Sequence, residues 1–518
     1  MGTPMTGMVE EAAAVRLPDA MPRTTLGSLA DALGSLAGGE LAGDARATAI
    51  DGICVDSRKV RGGELFVALR GTSADGHRFV GEAVQRGAAA VIVEDAPAPP
   101  GVPCLVVESS SKALALVAAR YFGDPARALR LCGVTGTNGK TSTAHLVRSI
   151  LRHGGERFGL IGTLGHGIDE LVKDPHTTPD ALTLHHLFSE MRDAGCVGVV
   201  MEVSSHAVRQ HRTWGLDFEV GILTNVTHDH LDYHPDMADY RAAKAEFCYS
   251  LSGNHRHQPD GTLVYWAADA TARAIGEGFK GRRVAVGTSP DADCRVDAVD
   301  VSLERTRFAL RLPGGEVVRV SMKLLGGFVP ANASVAAVAA IAMGASVDQA
   351  RVGLEAVDRV PGRFEPLGGG GKPVVVVDYA HTPDGFERVL ATCRHLKPRR
   401  LVVVFGCGGD RDRSKRPLMG RIAQRVCDRC YLTTDNPRNE RVETIVADIL
   451  TGMRRSDDVV VELDRGRAIR SAIAECGPGD MVAILGKGHE DYQLVGGEKT
   501  PWSDRKQAEE ELAQWRAR

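Results

Sequence analysis

Short continuous apolar runs recur along this chain, and most stop at a glycine-rich or polar turn. Residues 64–69, 88–93, 129–134, 197–203 and 220–223 are such runs, and residues 374–377, 401–405, 430–432 and 481–485 continue the series. Apolar runs bounded by breakers are the mark of strands buried on both faces, as in parallel sheets covered by helices. Between the runs the spacing changes. Leu146, Val147, Ile150 and Leu151 fall at helical intervals after the run that ends at Val134, and residues 240–247 form a second helical pattern. The alternation predicts an α/β protein with parallel sheets.

Breakers then divide it. Gly123-Asp124-Pro125 interrupts the pattern before the run at 129–134, and Val360-Pro361-Gly362-Arg363 with the glycines at 368–371 marks a second break. A length of 518 residues fits three domains on the usual size relation. We expect a disordered tail over residues 1–24, then domains over 25–123, 124–360 and 361–518. The tail holds Glu10, Glu11 and Asp19, so it lacks the apolar core of a signal peptide, and no later stretch approaches a membrane span.

Composition narrows the partners. Lys plus Arg (63) nearly balances Asp plus Glu (66), and a net charge of −3 gives no general attraction to nucleic acid or an acidic membrane. Several of the 11 cysteines (Cys54, Cys132, Cys196, Cys248) sit within apolar stretches, as free thiols do in a reducing compartment. Cytoplasm is the expected location. Cys427 and Cys430 have redox-pair or half-zinc-site spacing, but no second Cys or His pair follows at zinc-ribbon distance, which favours a structural role.

The turn after Val134 is where chemistry first shows. Thr135-Gly-Thr-Asn-Gly-Lys-Thr-Ser142 joins a strand pattern to a helix pattern, so its backbone N–H groups and the helix N-terminus face a phosphate site. Lys140 supplies a cation for the phosphates and Thr141 a hydroxyl for Mg²⁺. Only two residues separate Gly136 from Gly139, where the common phosphate loop has four. A plain strand-to-helix turn would explain the glycines but not Gly-Lys-Thr-Ser at the helix start. A nucleoside triphosphate is the expected ligand.

Other candidates follow from the same pattern. Glu202 closes a buried run, where a carboxylate can hold Mg²⁺ on phosphates; capping a helix is the plainer alternative. Asn225-Val-Thr-His-Asp-His-Leu-Asp-Tyr-His234 gathers three histidines and two aspartates without cysteine, so Mg²⁺ suits it better than zinc, with His230 as first choice for metal contact. Lys244, on its helical pattern, reads by itself as a surface lysine. Four turns follow the four late apolar runs, at 378–381, 406–411, 435–438 and 486–490. In open parallel sheets ligands lie beyond the carboxyl ends of strands, so the four turns imply one shared site.

Taken together, Thr135–Ser142, Glu202-Val-Ser-Ser-His206, Asp229-His-Leu-Asp-Tyr-His234, Asp378-Tyr-Ala-His381 and Asp435-Asn-Pro-Arg438 resemble the Mur ligases, and among them the diaminopimelate-adding type. The likeness spans nearly the whole chain after the tail. It implies an N-terminal UDP-sugar-binding domain, a central P-loop ATPase-like domain with a parallel sheet, and a C-terminal Rossmann-like domain that takes an amino acid. It also implies an ATP site of Gly136, Thr137, Asn138, Gly139, Lys140, Thr141 and Ser142 with Asn332, Arg363, Asp378 and His381. Ser57, Thr72, Ser73 and Ala74 fall on its uridine segments, and Thr177, Thr178, Ser204, Gln210 and Arg212 on its muramoyl-peptide contacts. Arg411, Asp435, Asn436, Pro437, Arg438, Gly486 and Glu490 fall on its diaminopimelate site. Lys140, Glu202, His230 and Lys244 are the implied catalytic set. Thr141, Glu202, His230 and Lys244 are the implied Mg²⁺ set, with Lys244 as a carbamate made from CO₂. That last assignment reverses the plain reading of Lys244.

Two positions depart from the family pattern. His228 stands where relatives usually have Arg and receives no role, and Val329 follows Phe328 where relatives have Asn. The resemblance implies an ATP-dependent amide ligase that passes through an acyl phosphate and acts as a cytoplasmic monomer with no nucleic-acid or membrane partner. Its substrates are a UDP-N-acetylmuramoyl dipeptide, diaminopimelate and ATP. The rival readings are a lysine-adding relative, a folylpolyglutamate-type ligase and an inactive nucleotide-binding scaffold. Arg438 argues against the first two, and Lys140, Thr141, Glu202 and Lys244 together against the third.

Overall fold

The computed structural model describes residues 15–16, 23–38, 41–71, 74–95, 100–251 and 261–516. The chain forms two compact units, one of residues 1–133, 156–219 and 253–261, the other of residues 134–155, 220–252 and 262–518.

In the first unit, strands Gly52–Cys54, Glu64–Val67, Ala90–Val93 and Cys104–Val106 pair in parallel in chain order. Val15–Arg16 adds an antiparallel edge, and Thr24–Thr25 pairs with Ala49–Ile50. Val15, Arg16 and Thr24 fall within the stretch expected as a disordered tail. Edge pairing is a backbone property that side-chain composition does not announce. The rest of that stretch, apart from Arg23, lies outside the described residues. Ser109 caps the helix Ser110–Tyr121, whose Leu114, Val117 and Ala118 pack with Leu26, Leu29 and Ile92. Further along, Phe158–Gly162 pairs in parallel with Gly198–Glu202 and antiparallel with Gly165–Gly167.

Among the described residues, the second unit holds a two-stranded ribbon, Tyr492–Val495 with Glu498–Pro501, and two larger sheets. In one, the strands Phe218–Leu223, Thr262–Trp266, Arg282–Gly287 and Cys294–Val301 run parallel, and Thr306–Arg311 and Val317–Met322 follow antiparallel. The helices Lys140–His153, Val329–Ala342 and Val347–Glu355 pack on one another. In the other, the order is Glu365–Gly368, Val374–Asp378, Met481–Leu485, Leu401–Phe405, Arg429–Leu432, Val459–Val461, parallel except for the first strand. Its apolar runs alternate between two cores. Val376, Val403, Phe405 and Ala483 face one layer of helices, while Val375, Val377, Val402 and Val404 face the other. Such two-sided burial is why the runs are continuous and not alternating.

A buried ion pair stiffens the site end of this sheet. The Arg465 guanidinium donates to both Asp504 oxygens at 2.7 Å and to the carbonyls of Thr434 and Leu485 at 3.1 Å. Both side chains are fully buried. Removing one partner strands a charge, so Asp504→Ala is expected to cost about 3–5 kcal/mol in denaturant unfolding.

Candidate functional site

The strand Arg130–Thr135 delivers the phosphate loop, and the helix Lys140–His153 leaves it. Gly136 (φ +142°) and Gly139 (φ +91°) lie where a side chain is disfavoured. A Cβ on Gly136 would run into the Thr224 hydroxyl, and one on Gly139 would lie 2.5 Å from Asn332 Oδ1. Asn332 on the helix Val329–Ala342 is therefore against the loop. Neighbouring chain braces the turn: Asn138 N–H donates to Asn225 Oδ1 at 2.9 Å, and the Thr224 hydroxyl donates to Asn138 O at 2.7 Å. Thr137 Oγ1 accepts from Thr227 N–H and lies 2.9 Å from the Tyr240 hydroxyl.

Two lysine side chains meet at one carbonyl. Lys140 Nζ and Lys244 Nζ each donate to Gly136 O at 2.9 Å. Asp236 caps the helix Met237–Tyr249, and the helix buries Lys244 to 1 % exposure over the Tyr240 ring. Burial, then the charge of Lys140, push the Lys244 amine well below the usual lysine range. Lys244 is therefore far from the surface lysine that its local pattern suggests. His230, with φ +57°, places Nε2 3.3 Å from Asp229 Oδ2. Burial pushes Asp229 up, but the charges of His230 and Lys415 outweigh it and hold the carboxyl below the carboxylate range.

The turns of the last sheet reach the same loop. Arg363 Nη2 donates to Thr141 Oγ1 at 3.0 Å, and Asn138 Nδ2 donates to Asp384 Oδ2 at 2.9 Å. Asp378 accepts from the N–H groups of Phe364 and Ala380 at 2.7 Å, while burial raises it to about 6. His381 is pushed down to about 4, first by burial and then by Lys415. Neutral at pH 7, its Nδ1–H donates to Tyr379 O at 2.8 Å and Nε2 is left as the acceptor.

Three turns join in a polar cluster beside these groups. Asn436 Nδ2 donates to Glu490 Oε2 at 2.8 Å, and Lys487 Nζ donates to Asn436 Oδ1 at 2.8 Å. A Cβ on Gly486 would run into Asp435 Oδ2. Arg438, at φ +53°, donates from Nη1 to Gly409 O at 2.8 Å; Pro437 O packs against Gly409. Arg411 is half exposed and lies 3.7 Å from Asp232. Burial, then Asp435, raise Glu490 above the ordinary range. Fully buried Lys487 brings an amine here that the sequence pattern did not single out, although it stands within the turn at 486–490.

The other unit carries a second cluster. Glu202 ends the strand Gly198–Glu202 and accepts from Thr163 N–H at 2.8 Å and from its hydroxyl at 3.1 Å. The Thr178 hydroxyl donates to Glu202 O at 2.8 Å and accepts from Ser204 N–H at 3.1 Å. Arg212 donates to Thr178 O and, through Nε and Nη2, to Gln210 Oε1; Thr177 Oγ1 lies 3.0 Å from Thr163 Oγ1. Ser57 stands apart, donating to Glu82 at 2.8 Å. Ala74 accepts from Gly71 N–H, while Thr72 and Ser73 lie outside the described residues.

Among the described residues, no group of three or more His, Cys, Asp or Glu converges as a metal cage. Mg²⁺ needs none, since it binds through one or two protein oxygens with phosphate and water completing the shell. Thr141 offers a hydroxyl oxygen in one unit, and Glu202 a buried carboxylate in the other. All eleven cysteines are free thiols.

A phosphate loop braced by a second strand's turn, facing a Rossmann-like sheet with charged turns, defines a nucleotide-dependent α/β enzyme class. Family models agree segment by segment. Residues 49–122 match the "Mur ligase family, catalytic domain", residues 134–340 the "Mur ligase middle domain", and residues 362–488 the "Mur ligase, glutamate ligase domain". The UDP-N-acetylmuramoyl-L-alanyl-D-glutamate–2,6-diaminopimelate ligase of Aquifex aeolicus (strain VF5) is 42% identical over 456 residues, 88% of this chain and 92% of its own. The ligase of the same name from Solibacter usitatus (strain Ellin6076) is 42% identical over 476 residues, 91% of this chain and 95% of its own. A solved diaminopimelate ligase structure superposes with a TM-score of 0.65 at 31% identity, covering 92% of this chain and 97% of that one. MurF of Thermotoga maritima in complex with ADP, at 20% identity and TM-score 0.62 over 89% of this chain and 98% of its own, shares the fold. The chain belongs to the Mur ligase family.

Proposed function

We infer that this chain is an ATP-dependent ligase that joins diaminopimelate to UDP-N-acetylmuramoyl-L-alanyl-D-glutamate in peptidoglycan synthesis, releasing ADP and phosphate. The observation that carries the reading is the joined set Asp435, Asn436, Arg438, Lys487 and Glu490, which offers both charge signs to a zwitterion with an additional carboxylate. It is supported by relatives of that name at 42% identity. We assign domains to residues 25–123, 124–360 and 361–518, and a monomer working in the cytoplasm. No described helix is long and apolar enough to cross a membrane.

In this reading the terminal carboxylate of the dipeptide attacks the γ-phosphate of ATP, giving an acyl phosphate and ADP. The amine of diaminopimelate then attacks the acyl carbon, loses a proton, and phosphate departs. Both partners of the first step are anions, so the site must offset their repulsion. Lys140, at the loop carbonyls, places a cation on the phosphates. Thr141, Glu202, His230 and the Lys244 carbamate are the proposed Mg²⁺ contacts, and the ion would supply further charge neutralisation. Asn332, Arg363, Asp378 and His381 complete the proposed nucleotide site. Thr177, Thr178, Ser204, Gln210 and Arg212 are proposed for the muramoyl peptide, and Ser57, Thr72, Ser73 and Ala74 for uridine. Arg411, Pro437 and Gly486 complete the proposed amino-acid pocket.

Arg438 sets the expected selectivity. Burial, then the nearby Arg411, disfavour its charge, so a ligand carboxylate that relieves both is favoured. Lysine lacks that carboxylate and leaves the guanidinium unpaired, a loss of roughly 1.5–3 kcal/mol. Arg438→Ala should lower kcat/KM for diaminopimelate at least about tenfold and leave the KM for ATP nearly unchanged. Steady-state kinetics with diaminopimelate and L-lysine test this; equal efficiency of the wild type with both would refute it.

A further inference from the structure

One aromatic ring stands between the loop that holds Thr141 and the turn that holds Glu490. Tyr379 follows Asp378 at the end of the strand Val374–Asp378, and its ring is in contact on several sides. The Arg363 guanidinium lies 4.7 Å from its centroid, and the same guanidinium donates to Thr141 Oγ1 at 3.0 Å. The His489 ring lies 4.9 Å from it and the His381 ring 4.6 Å. The backbone closes around it as well. Tyr379 N–H donates to Gly362 O at 2.9 Å, and a Cβ on Gly488 would lie 2.7 Å from Tyr379 Cβ. A Cβ on Gly362 would run into His489 N, so the two turns touch. Glu490 is the next residue, and it accepts from Asn436 at 2.8 Å.

These contacts form one packed path: Thr141, Arg363, Tyr379, Gly488-His489, Glu490, Asn436. Any ligand that shifts Arg363 at the phosphate loop moves a ring that the 486–490 turn rests on. Hydrogen bonds hold the two ends of the path, and cation–π, ring and backbone contacts fill its middle, so a displacement at one end is passed on through close packing. We propose that Tyr379 is a positioning residue that couples nucleotide occupancy to amino-acid binding, so that bound ATP raises the affinity for diaminopimelate. The proposal rests on the reaction inferred above and adds to it a linkage between the two sites. Linkage is reciprocal: diaminopimelate must raise ATP affinity by the same factor.

The test is isothermal titration calorimetry on the full chain with saturating UDP-N-acetylmuramoyl dipeptide. Diaminopimelate is titrated with and without the β,γ-imido analogue of ATP. Wild type should gain about tenfold in affinity, within the usual range of such couplings. Tyr379→Phe keeps the ring and should keep the gain. Tyr379→Leu should reduce it to less than about twofold while affinity for the analogue alone changes little. A purely structural role would weaken diaminopimelate equally in both conditions and leave the ratio intact. If Tyr379→Leu does not fold, His489→Ala removes the next ring in the path and should show the same loss of ratio. A Tyr379→Leu or His489→Ala protein that retains the tenfold gain overturns the proposal. Equal wild-type affinity with and without the analogue also overturns it, while leaving the proposed reaction standing. A wild type that binds no diaminopimelate in either condition overturns both.

Discussion

Lys140→Ala should abolish phosphate release while leaving the thermal unfolding of the chain close to wild type. The Lys140 ammonium is tied to two loop carbonyls, Gly136 O at 2.9 Å and Thr137 O at 3.0 Å. In the proposed reaction it sits on the phosphates, where charge develops as the γ-phosphoryl leaves. Losing one preorganised donor of that kind costs about 10²–10³ in kcat. Lys140 adds full charge to such a donor, so the loss should reach at least the upper end. Phosphate release with all substrates present, read beside the melting temperature, separates the chemistry from the fold. Wild-type turnover in this variant would contradict the phosphate-site assignment.

Lys244→Ala should remove ligation almost as completely. An amine reacts with CO₂ only when neutral, forming the N–C bond of a carbamate and releasing one proton. Burial and the neighbouring Lys140 hold Lys244 well below the ordinary lysine range, which supplies the neutral form at a pH where an exposed lysine would be almost wholly charged. The carbamate would then place an anion beside Lys140, and its oxygens would be able to hold Mg²⁺. Added formate or acetate should restore part of the activity of Lys244→Ala, because a free carboxylate can occupy the vacated position. Carbon-13 NMR with labelled bicarbonate should show a carbamate signal in wild type and none in the variant. Near-normal ligation by Lys244→Ala in CO₂-depleted buffer would end this assignment.

Much of the fold is legible along the chain because it is written in short range. The apolar runs at 401–405 and 481–485 coincide with strands Leu401–Phe405 and Met481–Leu485, and the phosphate turn sits between its strand and helix. Burial on both faces makes such runs unmistakable. The gathering of the late turns at one edge was legible too, since parallel neighbours bring their carboxyl ends there. What was hidden depends on partners far away in sequence. Thr224 and Asn225 brace Asn138 across 86 and 87 positions, and Lys244 reaches Gly136 across 108. No local pattern distinguishes a lysine buried this way from one in solvent. Lys487 and Tyr379 stood inside turns already singled out, but their weight comes from what packs on them. Val15–Arg16 went unread because an edge strand's hydrogen bonds leave no trace in its side chains.

The central claim is a single coupled reaction, and product stoichiometry tests it most directly. Purified protein is incubated with ATP, Mg²⁺, UDP-N-acetylmuramoyl-L-alanyl-D-glutamate and diaminopimelate, and all products are separated by chromatography and mass spectrometry. The expected result is one ADP and one phosphate for each UDP-N-acetylmuramoyl tripeptide, with little turnover when diaminopimelate or the dipeptide is left out. Formation of AMP and pyrophosphate, or ATP hydrolysis without tripeptide, would contradict ligation through an acyl phosphate.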